Sequence, residues 1–351
     1  TIVGNKLEYF LITNTFNIFY LTGFKGVSET EREVTALIGK SGLTLFSPKL
    51  YQNEVKSLSS KYNFKVVLVE ERNGLIQKPA QNLPKGSNLG IESTDLKVSE
   101  LNELKKYTNI DIIEIGNLVE NLRAVKVREE IIIMKKAVKM TDLTFSRIKK
   151  KIKSGMKEKD VAKRMLEIME DLGADGPSFT PIVASGKNSS LPHYKTGNDK
   201  IKGGVLLIDA GAKYKGYNGD LTRTFYIGKP DKKFVKTYNL VLEAQQFSLK
   251  SIKEGVFEEN PWKGSVKVFG TQSRYFTHGL GHGIGLEVHE EPFLRKGRKK
   301  LLKSGMVVTV EPGLYYPDWG GIRIEDYVLI KLKGYEILSR TPKTLEDIII
   351  V

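Results

Sequence analysis

Five carboxylates in this 351-residue chain stand where apolar strands should run unbroken. Asp209 ends the run VLLI, Asp220 opens LTRTFYI, Glu311 ends VVTV, and Glu325 and Asp326 lie inside IRIEDYVLI. A carboxylate in or beside a buried strand is costly unless it is paired, hydrogen-bonded or bound to a metal. The fold must therefore deliver these side chains to partners. Asp209 and Asp220 are separated by the glycine-containing turn region KYKGYNG, so a hairpin can bring both to one end. In the strand expected at Gly321–Ile330, side chains alternate between faces. Arg323 and Glu325 share one face, while Ile322, Ile324 and Asp326 take the other. Any one of these acids alone reads as a strand-end residue in water; five together ask for a common explanation.

The stretch HGLGHGIGLEVHE, His278 to Glu290, holds three of the four histidines: His278, His282 and His289. Gly279, Gly281, Gly283 and Gly285 lie among them, which is expected to let the backbone approach a ligand closely and take positive φ where needed. The fourth histidine, His193, lies in a loop-rich stretch, GPSFTPIVASGKNSSLPHYKTGN. Imidazole is the commonest protein metal ligand and titrates near neutral pH. Packing alone does not account for three imidazoles in so short a span. The chain has no cysteine, so disulfides and thiolate sites are excluded and any metal must sit on oxygen and nitrogen.

Two Asp, two Glu and one His form a ligand set for two divalent ions such as Mn, Co or Zn, with two carboxylates free to bridge. A water bridging such ions loses a proton near neutral pH and becomes a nucleophile. The ions polarise a carbonyl and stabilise the oxyanion. Neighbouring imidazoles can donate to that intermediate or to the leaving amine. A protein nucleophile is not expected: Cys is absent and no GxSxG elbow occurs.

The chain is long enough for about two domains. In the first hundred or so residues, Phe10–Thr13, Leu43–Ser47 and Val66–Glu70 read as buried strands. Helices are expected at Glu29–Ile38, Tyr51–Lys61 and Ser93–Lys106. The alternation predicts a small α/β domain with a largely parallel sheet. From Val127 a long helix is expected, with Ile131, Met134, Val138, Thr141, Phe145, Ile148 and Ile152 on one stripe and Gly155 as its stop. A second helix carries Val161, Met165, Ile168 and Leu172 and ends at Gly173; strands follow at Val205–Gly211 and Asp220–Gly228. The order then repeats. A helix carries Phe234 to Ile252 and stops at Gly255, and Asn260 and Pro261 are expected as N-cap and first-turn residue of a short helix. Strands at Val307–Gly313 and Gly321–Ile330 close the second round.

The formal charge is +15, but the lysines are spread along the chain, with short runs at Lys149–Lys151 and Lys296–Lys300. Aromatics are not interleaved with them as stacking platforms, so a solvated surface is expected rather than a nucleic-acid site. No apolar run reaches the roughly 18 residues of a membrane helix. The start TIVGNKLEYFLITN lacks an apolar core behind a basic cap, so no signal peptide and a cytoplasmic location are expected.

HGLGHGIGLEVHE is similar to the signature of Xaa-Pro dipeptidases (prolidases) and Xaa-Pro aminopeptidases, members of the pita-bread metallopeptidases. LLIDAG, YNGDLTRTF, VEPGLYY and GGIRIEDYVLI resemble the family's other blocks in the same order, and NIFYLTGF (Asn17–Phe24) resembles its first domain. The resemblance implies a small N-terminal α/β domain of the creatinase/prolidase type at 1–120, serving substrate access and dimer contacts. It implies a C-terminal pita-bread α+β domain at 121–351, a pseudo-twofold repeat of helices and antiparallel strands. It further implies two divalent metal ions held by Asp209, Asp220, His282, Glu311 and Glu325, with Asp220 and Glu325 bridging. Glu311 would be the general base for a metal-bridging hydroxide. His193 and His289 match substrate-binding and transition-state histidines; His278 and Arg323 match further active-site positions. The expected activity is hydrolysis of Xaa-Pro bonds in proline-containing dipeptides by a homodimer, the first domain helping to close a partner's site. The alternatives are an Xaa-Pro aminopeptidase acting on longer peptides and, more distantly, a non-catalytic binding module. One departure stands out: Phe293 occupies the position where several prolidases carry an Arg for the dipeptide's carboxylate, with Arg295 two residues on.

Overall fold

The computed structural model of the chain describes residues 7–28, 31–107 and 110–351. The first six residues of the start read above, and Glu29 and Thr30 of the expected helix, lie outside the described residues. The chain divides into two compact units, Thr1–Arg123 and Ala124–Val351. Among the described residues, no helix is long and apolar enough to cross a membrane.

The first unit runs β1 (Tyr9–Ile12), α1 (Thr15–Thr22), β2 (Thr35–Gly39), β3 (Gly42–Pro48), α2 (Gln52–Tyr62), β4 (Lys65–Val69), α3 (Gly74–Gln81), β5 (Ser87–Glu92), α4 (Val98–Leu104), β6 (Ile110–Ile115) and α5 (Leu118–Ala124). Its sheet has the order β4-β3-β2-β1-β5-β6. Pairing is parallel at β3–β4, β1–β5 and β5–β6 and antiparallel at β1–β2 and β2–β3. Alternate residues face opposite ways, so Leu11 and Phe46 join one apolar cluster while Phe10, Ile12 and Leu45 join another across the sheet. The helix expected at 29–38 is not formed: Thr35 to Gly39 is strand β2. Its β-branched Val34, Thr35 and Ile38 suit a strand, and Gly39 pairs with Gly42 across the two-residue turn Lys40–Ser41, with φ +101° at Gly42. The helix expected over 93–106 is confined to α4.

The second unit opens with α6 (Arg128–Lys149) and α7 (Glu158–Asp171). Then come β7 (Gly176–Pro177), β8 (Ile182–Ser185), β9 (Gly204–Ala210), β10 (Ala212–Tyr214), β11 (Tyr217–Asn218) and β12 (Leu221–Ile227). Two further helices, α8 (Lys232–Lys250) and α9 (Glu259–Phe269), lead to β13 (Gly281–Gly283), β14 (Glu290–Leu294), β15 (Val307–Val310), β16 (Gly313–Tyr316), β17 (Gly320–Arg323), β18 (Asp326–Ile330), β19 (Tyr335–Ile337) and β20 (Ile349–Ile350). Two helices followed by a sheet therefore occur twice. The main sheets are β20-β12-β9-β8 and β14-β13-β15-β18-β19. One apolar cluster joins both rounds, from Phe145 and Met165 through Ile208 and Phe234 to Val308 and Val328.

Several boundaries differ from the sequence expectation; α8, for one, ends at Lys250, before Ile252 and the expected stop at Gly255. α6 ends at Lys149, and Gly155 (φ +91°) belongs to the turn beyond it rather than stopping the helix. Glu258, not Asn260, precedes α9, which places Asn260 and Pro261 inside its first turn, where a missing N–H costs no helical bond. The single strand expected at Gly321–Ile330 is two: β17 pairs with β16 and β18 with β15, with the break at Ile324–Glu325. Glu311 likewise follows the end of β15. Both glutamates thus sit where the chain leaves one sheet for another.

The Asp209–Asp220 connection is closed by a glycine contact. A Cβ on Gly211 would overlap the carbonyl of Gly219, although Gly211 is not at positive φ. Gly211→Ala should therefore cost about 3 kcal/mol, the upper part of the usual overpacking range. The control Gly203→Ala, whose Cβ meets nothing nearer than Ile227 O at 3.6 Å, should stay within about 0.5 kcal/mol of the parent. Urea unfolding of the two variants checks the contrast; equal midpoints would sink it.

Candidate metal centre

The second unit encloses a cavity of about 610 Å³. Its lining includes every residue singled out for chemistry in the sequence: His193, Asp209, Asp220, His278, His282, His289, Glu311, Arg323 and Glu325. Asp326 is the exception among the five acids. It turns the other way, accepting from Arg223 (2.9 Å) and Ser339 (2.9 Å) and pairing with Lys343.

The four acids, His282 and Arg323 reach the cavity from strands or strand ends, His193, His278 and His289 from the segments between them. Asp209 lies near the end of β9, opposite Thr222 of β12, and Asp220 directly precedes β12. His282 is the middle residue of β13. Gly281 and Gly283 flank it, and neither has positive φ. A Cβ on Gly281 would overlap Thr309 O, and one on Gly283 would overlap Glu291 O. These glycines let β13 lie between its neighbouring strands, and Gly281 also lines the cavity, while the positive φ expected of such glycines is not taken by either. The requirement for glycine is steric: the space a side chain would need is filled by adjacent backbone.

Asp220, His282 and Glu325 each offer a ligand atom, and these atoms lie within 4.8 Å of one another. His282 Nδ1 lies 3.1 Å from Gly283 O. Nε2 lies 3.3 Å from Glu311 Oε1 and 3.7 Å from Asp220 Oδ2. Burial, followed by repulsion from Glu325, Asp209 and Glu311, holds Asp220 well above the usual carboxylate range. Burial and the charges of Glu311 and Asp209 do the same to Glu325. Asp209 is also raised, chiefly by burial, against the pull of Arg323. For Glu311 burial works upward, but the hydrogen bond and charge of His282, with His278 and Arg323, outweigh it and bring the group down to about 2.

Two buried carboxylate oxygens, Asp209 Oδ1 and Glu325 Oε1, have no hydrogen-bond partner among the described residues. Two carboxylates about 4 Å apart repel by roughly 4 kcal/mol at an effective dielectric constant near 20. Four acids with one guanidinium among them call for further positive charge. An all-oxygen-and-nitrogen set with orphaned oxygens fits a divalent ion such as Mn, Co or Zn.

Arg323 is 3% exposed. It donates to Asp209 Oδ2 (2.6 Å), Tyr315 Oη (2.9 Å), Thr222 Oγ1 (3.0 Å) and Pro192 O (3.3 Å). Three partners were not singled out from sequence. Thr222 donates to Glu325 Oε2 (2.8 Å), Thr309 donates to Glu311 Oε1 (3.2 Å), and Tyr315 lies 2.8 Å from His278 Nε2. A period-two reading could have found the threonines, because Thr222 shares a strand face with Asp220 and Thr309 with Glu311. Burial pushes the Tyr315 phenol up to about 12, so it keeps its proton and donates to His278. His278 Nδ1 in turn donates to Gly279 O (2.7 Å), leaving neither ring nitrogen free. Burial brings His278 and His289 down to about 4, so both are neutral at neutral pH. His289 packs edge-on against His282 with centroids 4.3 Å apart. His193 is exposed to the cavity and makes no side-chain hydrogen bond among the described residues. Phe179, Ile182, Val288 and Phe293 form apolar wall, and exposed Arg295 stacks over the Phe293 ring at 5.2 Å.

Residues 133–331 match the model of metallopeptidase family M24, and residues 2–125 match the creatinase/prolidase N-terminal domain. The chain is 34% identical over 346 residues to an Xaa-Pro dipeptidase of Pyrococcus horikoshii, covering 97% of this chain and 95% of that protein. Its structure is similar to that of an Xaa-Pro dipeptidase from Bacillus anthracis, with a TM-score of 0.92 and 33% identity over 99% and 96% of the two chains. It is similar also to an X-Pro aminopeptidase from Thermotoga maritima, with a TM-score of 0.85 and 31% identity over 97% of each.

Burial and mutual repulsion favour the protonated forms of Asp209, Asp220 and Glu325, and a bound cation would favour their ionised forms. Metal uptake should therefore release protons and tighten as pH rises, because ligands bind in their deprotonated form. Calorimetric titration with Mn²⁺ in two buffers of different ionisation enthalpy reads the release directly. Identical heats in the two buffers would contradict the elevation assigned to Asp220 and Glu325.

Proposed function

The chain belongs to metallopeptidase family M24, with the creatinase/prolidase N-terminal domain ahead of the catalytic one; from that premise we propose that its acid-rich cavity holds two divalent ions and cleaves Xaa-Pro dipeptides. It is a peptidase of the prolidase type. The observation that carries the site assignment is the close Asp220–His282–Glu325 group, flanked by Asp209 and Glu311 and provided with orphaned carboxylate oxygens.

In this proposal Asp209, Asp220, His282, Glu311 and Glu325 hold the ions. When bound, these supply Lewis acidity and stabilise negative charge on the scissile carbonyl oxygen. Glu311, held ionised, receives the proton of the attacking water. His289 and His193 line the cavity with imidazoles that can donate to the developing oxyanion. Arg323 fixes Asp209, and Tyr315 fixes His278. The apolar wall receives the prolyl ring. Manganese, cobalt or zinc as the metal, a homodimer and a cytoplasmic place of work belong to the same proposal.

Glu311→Gln should bind metal yet lose at least roughly a hundredfold in turnover, within the range of general-base contributions. Metal analysis with a dipeptide hydrolysis assay decides it; turnover within a few-fold of the parent removes Glu311 as the base.

The Xaa-Pro aminopeptidase reading is favoured by one feature, Phe293 where an Arg would receive a dipeptide's carboxylate. In our proposal Arg295, held at the cavity lining over Phe293, supplies that charge. Arg295→Ala should then raise KM for Xaa-Pro dipeptides roughly tenfold, the scale of one exposed charge-assisted contact, while leaving Xaa-Pro tripeptides nearly unaffected. Equal effects on both, or faster turnover of tripeptides by the parent, would favour the aminopeptidase.

A further inference from the structure

We propose that Glu158, at the start of α7 and outside the metal cavity, is a positioning residue that holds the loop presenting His193. The inference rests on the reading of His193 as a substrate-side group.

Glu158 is fully buried, at 0% exposure, yet no ion pair involves it among the described residues. A buried carboxylate without a cation must be satisfied by hydrogen bonds. All of them come from one loop. Oε1 accepts from Ser185 N (2.7 Å), Ser185 Oγ (2.9 Å) and Asn188 Nδ2 (3.1 Å), and Oε2 accepts from Tyr194 Oη (2.9 Å). Asn188 Nδ2 also reaches Tyr194 Oη (3.0 Å) and Asp199 Oδ2 (2.8 Å), while Glu158 N donates to Asp199 O (3.0 Å). One carboxylate thus ties the loop's entry at Ser185, its middle at Asn188 and its return at Tyr194. Burial and the Glu158 bond push the Tyr194 phenol up to about 12, so it stays a donor.

His193 lies between two of these restraints. The carbonyl of Pro192, before it, accepts from Arg323, and the hydroxyl of Tyr194, after it, is held by Glu158. The imidazole has no side-chain hydrogen bond of its own among the described residues, so its place over the cavity is set by the backbone on either side. Arg323 belongs to the metal centre. Glu158 is the restraint on the other side, and it touches none of the acids.

The test uses full-length, metal-loaded protein. Glu158→Ala and the milder Tyr194→Phe should lower kcat, by roughly 10- to 100-fold for the former as expected of a displaced catalytic group, with metal content unchanged. Glu158→Gln should largely restore it, since its amide oxygen can keep the Ser185 and Asn188 donors while its NH₂ donates to Tyr194. In a His193→Ala background the same substitutions should cost nothing further, the signature of two residues acting as a unit. An equal fall in both backgrounds would mean a general structural role and overturn the inference. Hydrogen exchange over residues 186–199 gives a readout free of catalysis: it should quicken in Tyr194→Phe, and unchanged protection overturns the anchoring. If His193→Ala alone leaves turnover intact, the reading of His193 fails instead.

Discussion

The repulsion among buried carboxylates organises this molecule. Asp209, Asp220, Glu311 and Glu325 come from four different strand ends and share one cavity with one buried guanidinium, that of Arg323. No apolar packing would gather them, and water is largely excluded from Asp220 and Glu325. Such an arrangement survives only if the rest of the fold over-determines it, and the surrounding backbone does. Gly281 and Gly283 let β13 sit between its neighbours, Gly211 closes the Asp209–Asp220 connection, and breaks at Glu311 and Glu325 release those residues from regular pairing. The stability of the strands supports a site that, without cations, works against them.

Much of this was legible because burying charge is expensive. An acid ending VLLI or standing inside IRIED violates the strand pattern, and that violation points to the four carboxylates and equally to Asp326, which pairs with Arg223 and Lys343 instead. The long helices were legible from period alone: α6, α7 and α8 carry their buried stripe where the spacing put it. The uses of glycine were not, because the sequence does not say whether the atom filling the missing Cβ space belongs to a ligand or to a strand from elsewhere. β2 departs from the expected helix for a related reason. Charged Glu31, Arg32 and Glu33 before an apolar run mimic helical spacing, and only the pairing of Gly39 with Gly42 makes the run a hairpin strand. Thr222, Thr309, Tyr315 and Glu158 escaped notice because their importance lies in whom they meet, and each meets residues far away in sequence.

Arg323 shows why residue type matters at such a centre. Its donors are spent on Asp209, Tyr315, Thr222 and the Pro192 carbonyl, which joins the acid cluster to His278 on one side and to the His193 loop on the other. A lysine has one point of charge and three donors from one atom, and it loses its proton more readily when buried. It could neutralise Asp209 but not span these four partners. The formal charge of the cavity then completes the argument. The four carboxylates, buried Arg323 and exposed Arg295 of the cavity wall sum to minus two; one divalent ion would bring that to zero, and the two proposed here to plus two. A small positive surplus is the condition in which a carbonyl oxygen gains most from becoming negative, and it follows from the same count of side chains that makes the metal-free cluster costly.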